Sequence, residues 1–225
     1  MPTAAIAAFG VQLRLGDGVP LAPLVVSGAT NATPIIVTTT VAHGVVDVSY
    51  AVVAGVTGNT AANGSWVVER TGANTLKLRG SVGSGAYIGG PGSVTINSTY
   101  ATVAEVTDIA DLGATAQLVN VTAHDAPTRW GSQIPTFLST GNMRVSLNHV
   151  PNHATHDELT GLWQQFETRT RRPIMIVLPN GTGATRTVWY MTAATTGWNE
   201  SMPVNGALTA VVNLEGMGDL VLANA

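Results

Sequence analysis

Most apolar residues of this chain come in short runs cut by Gly, Asn or Pro before a helical stripe can build up. Short runs rich in Val, Thr, Ile and Leu and bounded by turn residues are strand signals, and many of them in succession predict a sandwich or small barrel. The predicted class is therefore mainly β. Val11 to Leu15 alternates and meets Gly16-Asp17-Gly18, a hairpin-like turn. Further strand signals lie at Ala101 to Val106, Gln117 to Thr122, Met143 to His149, Pro173 to Leu178, Thr185 to Thr192 and Ala207 to Leu214.

Between about Ser27 and Ser98 the texture shifts: Asn, Gly, Thr and Ser become dense and acidic residues almost vanish. We read residues 27–98 as an inserted small all-β domain, and 1–26 with 99–225 as a discontinuous main domain. Pro34 to Thr40, Ser65 to Arg70 and Thr75 to Arg79 are its strand signals, with Asn63-Gly64 and Gly72-Ala-Asn74 as turns. Alternation puts Leu76 and Leu78 on one face and Lys77 and Arg79 on the other. The Gly/Asn-rich borders predict few contacts with the rest, so that joining residue 26 to 99 leaves the remainder intact.

One helix is predicted. Thr155-His-Asp-Glu158 has the form of a capping box, and Leu159, Leu162, Trp163 and Phe166 follow at helical spacing. Arg169, Arg171 and Arg172 complement the negative end of the helix dipole, and Pro173 stops the element.

Composition narrows the function. With 45% apolar residues the chain can bury a core without staples, and the absence of cysteine excludes disulfides, thiol catalysis and cysteine-ligated metal sites. Thirteen acidic against ten basic residues argue against a basic phosphate-binding surface. Charges this few suit surfaces that become buried against other subunits. No apolar run reaches membrane-spanning length, and the first residues lack a positively charged leader pattern, so the expected setting is the cytosol with no membrane.

Candidate chemistry is sparse. His149, His153 and His156 lie near Asp157 and Glu158, the one cluster resembling a metal site, but Pro151 interrupts the spacing and the rings need not converge. Gly83-Ser-Gly85 lacks a strand-to-helix setting and a following Lys-Ser/Thr, so no phosphate cradle is read there. Neither a Gly-x-Ser-x-Gly elbow nor a His-Glu-x-x-His pair occurs. The expectation is no catalytic residue, no metal, no cofactor and no enzyme. The tract Thr122 to Thr136, with His124, Asp125, Arg129 and Trp130, is too long for a simple hairpin loop and carries residue types that anchor interfaces. It is a candidate interface loop. In Met143-Arg-Val-Ser-Leu-Asn148 the alternation places Arg144, Ser146 and Asn148 on one wet side.

A resemblance adds to this reading. Thr102-Val-Ala-Glu-Val-Thr-Asp-Ile-Ala-Asp-Leu-Gly113, Leu118 to Pro127, Ile134 to Met143, the helix Thr155 to Thr168, Arg172 to Gly181, Trp189 to Thr192 and Asn205 to Glu215 follow one another in an order that resembles the tail tube (major tail) proteins of long, non-contractile-tailed phages. Gly28 to Thr40, Ala42-His-Gly44, Gly55 to Gly64 and Gly83 to Tyr87 look like a small β-barrel module found in phage structural proteins, similar to the inserted β-domain of ubiquitin-activating enzymes. The resemblance implies a β-sandwich with one flanking helix and the insert on the outside of a tube. Hexameric rings of it would stack around a tape-measure protein and contact tail terminator and distal tail proteins. Double-stranded DNA would pass through the lumen, lined by Arg144, Ser146 and Asn148, in the virion tail, after assembly in the host cytoplasm. A tube subunit of a contractile secretion system and a surface- or carbohydrate-binding β module are the alternatives.

Overall fold

A computed structural model describes residues 10–90, 92–122, 131–179, 187–218 and 220–223. The fold is mainly β, with a closed six-stranded barrel, further sheets and one α-helix among the described residues. It forms two compact units: the described parts of Met1–Val103, Arg172–Tyr190 and Val221–Ala225, and of Ala104–Arg171 and Met191–Leu220. The barrel thus shares a unit with strands from both ends of the chain, a grouping that differs from an insert standing apart.

In the first unit, β2 (Leu24–Ala29), β3 (Ile36–Thr39), β4 (Val48–Ala54), β5 (Gly64–Arg70), β6 (Thr75–Leu78) and β7 (Ser93–Ile96) close in the order β2-β3-β6-β5-β4-β7. Its interior is filled by Val26, Ile35, Val37, Ala51, Val53, Val68, Leu76, Leu78, Val94 and Ile96. Trp66 packs on this core and donates its indole N–H to Ala62 O at 2.9 Å, from the end of a short 3-10 turn.

A sheet belongs to the same unit. In it β1 (Gln12–Gly16) pairs with β8 (Tyr100–Thr102) and β13 (Arg171–Val177), while β16 (Val221–Ala223) pairs with the start of β14 (Val188–Ser201). Barrel and sheet share a buried cluster of Val48 and Val67 from the barrel with Met175, Val177, Val188 and Tyr190 from the sheet. Register explains it. Ala51, Val53 and Val68 point inward, so their neighbours Val48, Tyr50 and Val67 point out of the barrel, paired as Tyr50↔Val67. Those outward side chains meet the sheet, where the Tyr50 and Tyr190 rings stack at 3.9 Å and Asn97 donates to the Tyr190 hydroxyl at 2.8 Å. Few contacts were expected of the insert; instead, the outer faces of β4 and β5 are part of a second core.

The outward side of β6 is covered as well. Lys77 and Arg79 do oppose Leu76 and Leu78, as the alternation predicts, but Arg79 is buried. With Lys77 it pairs to Glu69, itself 1% exposed, at 3.4 and 2.9 Å, and it donates to Ala223 O at 3.4 Å. A carboxylate this buried is tolerable only with such partners, and removing one of them costs more than the pair itself contributes.

The second unit carries β9 (Val106–Ala110), β12 (Asn142–Asn148), β15 (Thr209–Gly216) and the rest of β14, ordered β14-β15-β12-β9. Met143, Val145 and Leu147 lie opposite Leu214, Val212 and Ala210, and all six are buried on one face. The single strand predicted from Ala101 to Val106 is divided into β8 and β9, because the chain breaks at Glu105, which has φ +54°. β10 (Ala114–Asn120) and β11 (Gln133–Thr140) form a separate two-stranded sheet, and β11 replaces the last part of the predicted Thr122–Thr136 loop.

The helix is shorter than predicted. α1 spans only Leu162–Thr168, and its N-cap Gly161 makes no side-chain cap bond. The capping box does not form because the Thr155 hydroxyl accepts from the Ala104 amide at 3.2 Å. Asp157 Oδ1 instead gathers the amides of Leu159, Thr160 and Gly161, which shapes a turn and leaves Leu159 75% exposed. The buried face of α1 is Leu162 and Gln165, the latter donating to Ala193 O at 2.7 Å.

Joining residue 26 to 99 strips the cover from Met175, Val177, Val188 and Tyr190. The shortened chain is expected to melt well below the parent or to precipitate, as a thermal melt or soluble-yield measurement would show; an unchanged melting temperature would mean the shared cluster contributes nothing.

Candidate functional site

The β10–β11 hairpin is the least covered element of the described structure. Every residue of β10 and all of β11 except Thr140 are exposed. Pairing runs from Ala114↔Thr140 to Asn120↔Gln133 with a bulge between Ala116 and Leu118. This register sets Val119 and Ile134 on one face and Leu118 and Pro135 on the other, and across the bulge Leu138, opposite Ala116, falls on the Leu118 side. Both faces are therefore apolar, and Phe137 and Leu138 are 75% and 81% exposed. A hairpin rooted in a core would show one polar face. The base is fixed: the Gly141 amide donates to Gly113 O at 2.8 Å, and Thr140 donates to Gly218 O.

His124, Asp125, Arg129 and Trp130 fall in the connection between these strands and lie outside the described residues. Sequence reasoning marked this connection and, in the Gln117 to Thr122 signal, part of β10, but not its partner β11. The alternation of Ile134, Thr136 and Leu138 could have revealed β11, were it not that Pro135 demotes a strand reading.

Arg144, Ser146 and Asn148 do share one face of β12, opposite Asn213, Val211 and Thr209 of β15. Arg144 is exposed, Ser146 and Asn148 are half-buried, and the intervening residues are buried. Asp108 of β9 stands opposite Ser146, and Asp111, Thr196 and Asn213 join Arg144 around a polar recess of about 430 Å³. The face is largely polar, with the half-buried Val211 within it.

His149 and His153 each approach the ring of His156. His156 lies 5.9 Å from His149 and 5.4 Å from His153 between ring centroids. Their hydrogen bonds assign their roles. His156 Nδ1 accepts from the Val150 amide at 3.1 Å, so Nε2 carries the proton and donates to Ala104 O at 2.9 Å. Burial, reinforced by the other two histidines, holds His156 below its usual pKa. His153 Nδ1 is occupied by the Thr155 amide and hydroxyl. His149 Nδ1 lies 3.0 Å from Glu200 Oε1 without hydrogen-bond alignment, and that oxygen accepts from Trp198 Nε1 at 2.8 Å. The His156 lone pair is committed to the backbone, and no group of three or more His, Asp or Glu is placed to hold a metal among the described residues. The cluster is a brace between the Ala104 segment, the Val150 turn and the approach to α1.

No protein-family model matches this chain, and no curated protein matches it. Among solved structures, it is similar to a chain of the cryo-EM structure of the anti-feeding prophage (AFP) baseplate, 6-fold symmetrised. That similarity has 12% identity and a TM-score of 0.43, over 56% of this chain and 85% of that one.

The neutral His156 makes stability pH-dependent with a definite sign. The unfolded ring titrates near about 6.5 and the folded ring lower, so the contribution is complete above about pH 6.5 and is lost as pH falls through the folded value. The melting temperature is expected to drop between pH 7.5 and 5.5, and His156→Gln to flatten that drop. Zinc, at concentrations well above a typical site's affinity, is expected to leave the melting temperature unchanged; a rise abolished by His153→Ala would demonstrate a metal site.

Proposed function

We propose that this chain is a structural virion protein whose copies form hexameric rings that stack into a phage tail tube, the conduit for the genome. The observation that carries the reading is the β10–β11 hairpin. A two-stranded sheet is marginal in water, and one with apolar side chains on both faces and two open edges needs a partner on each side. A subunit between neighbours in a ring and in the next ring supplies both. The partner is a second copy of the chain, and the connection bearing His124, Asp125, Arg129 and Trp130 is the ring-stacking loop.

Two further features support the same reading. The sequence between Thr102 and Glu215 follows the order of the tail tube proteins described above. The Arg144, Ser146 and Asn148 face is polar over a buried apolar layer, as a strand lining a water-filled lumen requires. In this role the chain surrounds a tape-measure protein, meets tail terminator and distal tail proteins at its ends, and lets double-stranded DNA pass, without catalysis. It assembles in the host cytoplasm and resides in the virion tail.

Concentrated purified protein is expected to show rings or tubes by negative-stain microscopy. Phe137→Asp with Leu138→Asp should abolish them, while the melting temperature stays close to the parent's because exposed positions contribute within about 0.5 kcal/mol. Trp130→Ala is expected to do the same. A double variant that still forms full-length tubes would remove the hairpin from the assembly, and a parent that forms neither rings nor tubes would remove the function.

A further inference from the structure

A second surface of the same unit has the opposite character to the hairpin. A cleft of about 650 Å³ opens beside the start of α1, bounded by His149, Asp157, Glu158, Leu159, Trp163 and Glu200 among others, with no Lys or Arg in its lining. Trp163, His149 and His156 line it, and Trp198 meets Trp163 and His149 edge to face, each at 5.2 Å. The carboxylates are not equivalent. Asp157 holds three backbone amides, which keeps it below the usual carboxylate range, and Glu200 is held by Trp198. Glu158 is exposed and makes no hydrogen bond or ion pair among the described residues. Leu159, 75% exposed, extends the apolar wall to the mouth.

An apolar wall ending in carboxylates fits a side chain that is apolar along its stem and cationic at its tip, an arginine or a lysine. The chain carries its own candidates. Arg14, Lys77, Arg79 and Arg172 are engaged within the fold. Among the described residues four others are exposed without an ion-pair partner: Arg70 and Arg144 stand singly, whereas Arg169 and Arg171 lie two residues apart, just past the other end of α1. One chain therefore presents an acidic aromatic cleft before α1 and a pair of free arginines after it. Two different complementary patches on one subunit make a head-to-tail contact, the kind that closes into rings.

We infer that the Trp163–Glu158 cleft of one copy receives the Arg169 and Arg171 segment of the next, an electrostatic contact that sets subunit order within the ring. The inference rests on the ring reading above and adds to it a second interface, separate from the hairpin.

Two measurements test it. The first uses the full chain carrying Phe137→Asp and Leu138→Asp, to suppress assembly, titrated with a peptide of the sequence from Glu167 to Pro173. The Trp163 indole N–H resonance, assigned through Trp163→Phe, is expected to shift and saturate. The shift should vanish with Glu158→Lys, or when all three peptide arginines (Arg169, Arg171 and Arg172) are replaced by glutamine, and weaken as salt is raised. Absence of any shift overturns the cleft as a cation site. The second is sedimentation of the otherwise unaltered chain. Glu158→Lys, and separately Arg169→Glu with Arg171→Glu, should each weaken self-association by about tenfold or more, and the combined variant should recover it. If neither change affects self-association while the hairpin variant abolishes it, the head-to-tail contact is overturned and the ring reading stands. A parent that stays monomeric at every concentration overturns the ring reading and the self-contact, and the peptide titration then still reports on the cleft.

Discussion

Every strand has two faces, and this fold is organised by what covers the second one. In β4 and β5 both faces are buried: Ala51, Val53 and Val68 fill the barrel, while Val48, Tyr50 and Val67 look outward onto Met175, Val177, Val188 and Tyr190. A closed barrel with a polar exterior could be lost or moved without much effect on its neighbours. Once its outer wall supplies half of another core, it becomes part of the frame on which β13 and the start of β14 are held. Glu69 follows from the same geometry. It stands beside Val67 on the covered wall, where a carboxylate cannot remain without Lys77 and Arg79.

Much of this was legible in the residues. The class, the positions of β1, β3, β5, β6, β12 and β13, and the inward set of Leu76 and Leu78 follow from alternation and turn chemistry, because those are local. The covered outer wall was not, since Val67 and Glu69 read the same whether they face water or a second sheet. The capping box failed for a related reason. Thr155 has the right neighbours for a cap, but a tertiary donor, the Ala104 amide, takes its hydroxyl, and Asp157 then organises the turn. His149 and His153 approach His156 because the chain folds back at Pro151 and the network through His156 draws the turn together. Spacing alone reports neither.

The surfaces divide along the same lines. Where alternation is clean, as in β12, one face is buried and the other polar, and the element is complete within one subunit. Where it breaks down, as in β10 and β11, no choice of register hides the apolar side chains, since Val119 and Ile134 lie on one face and Leu118, Pro135 and Leu138 on the other. An isolated subunit therefore exposes apolar surface on this arm that no internal rearrangement of the two strands would remove. That is the physical difference between an exposed apolar residue, which is ordinary, and an exposed apolar element, which points outside the chain.

Assembly through such an arm alone would be indiscriminate, because apolar contact is non-directional and open strand edges accept many partners. Order has to come from something that distinguishes one side of a subunit from the other. In a chain with so few charges, the acidic residues gathered around Trp163 and the free Arg169 and Arg171 provide that distinction on a single unit. Charge complementarity orients encounters and penalises like-with-like docking, while the apolar arm supplies the area that makes a correct encounter last. On this account the scarcity of charge elsewhere is part of the design, because a few complementary groups can define a direction only where the remaining surface does not compete with them.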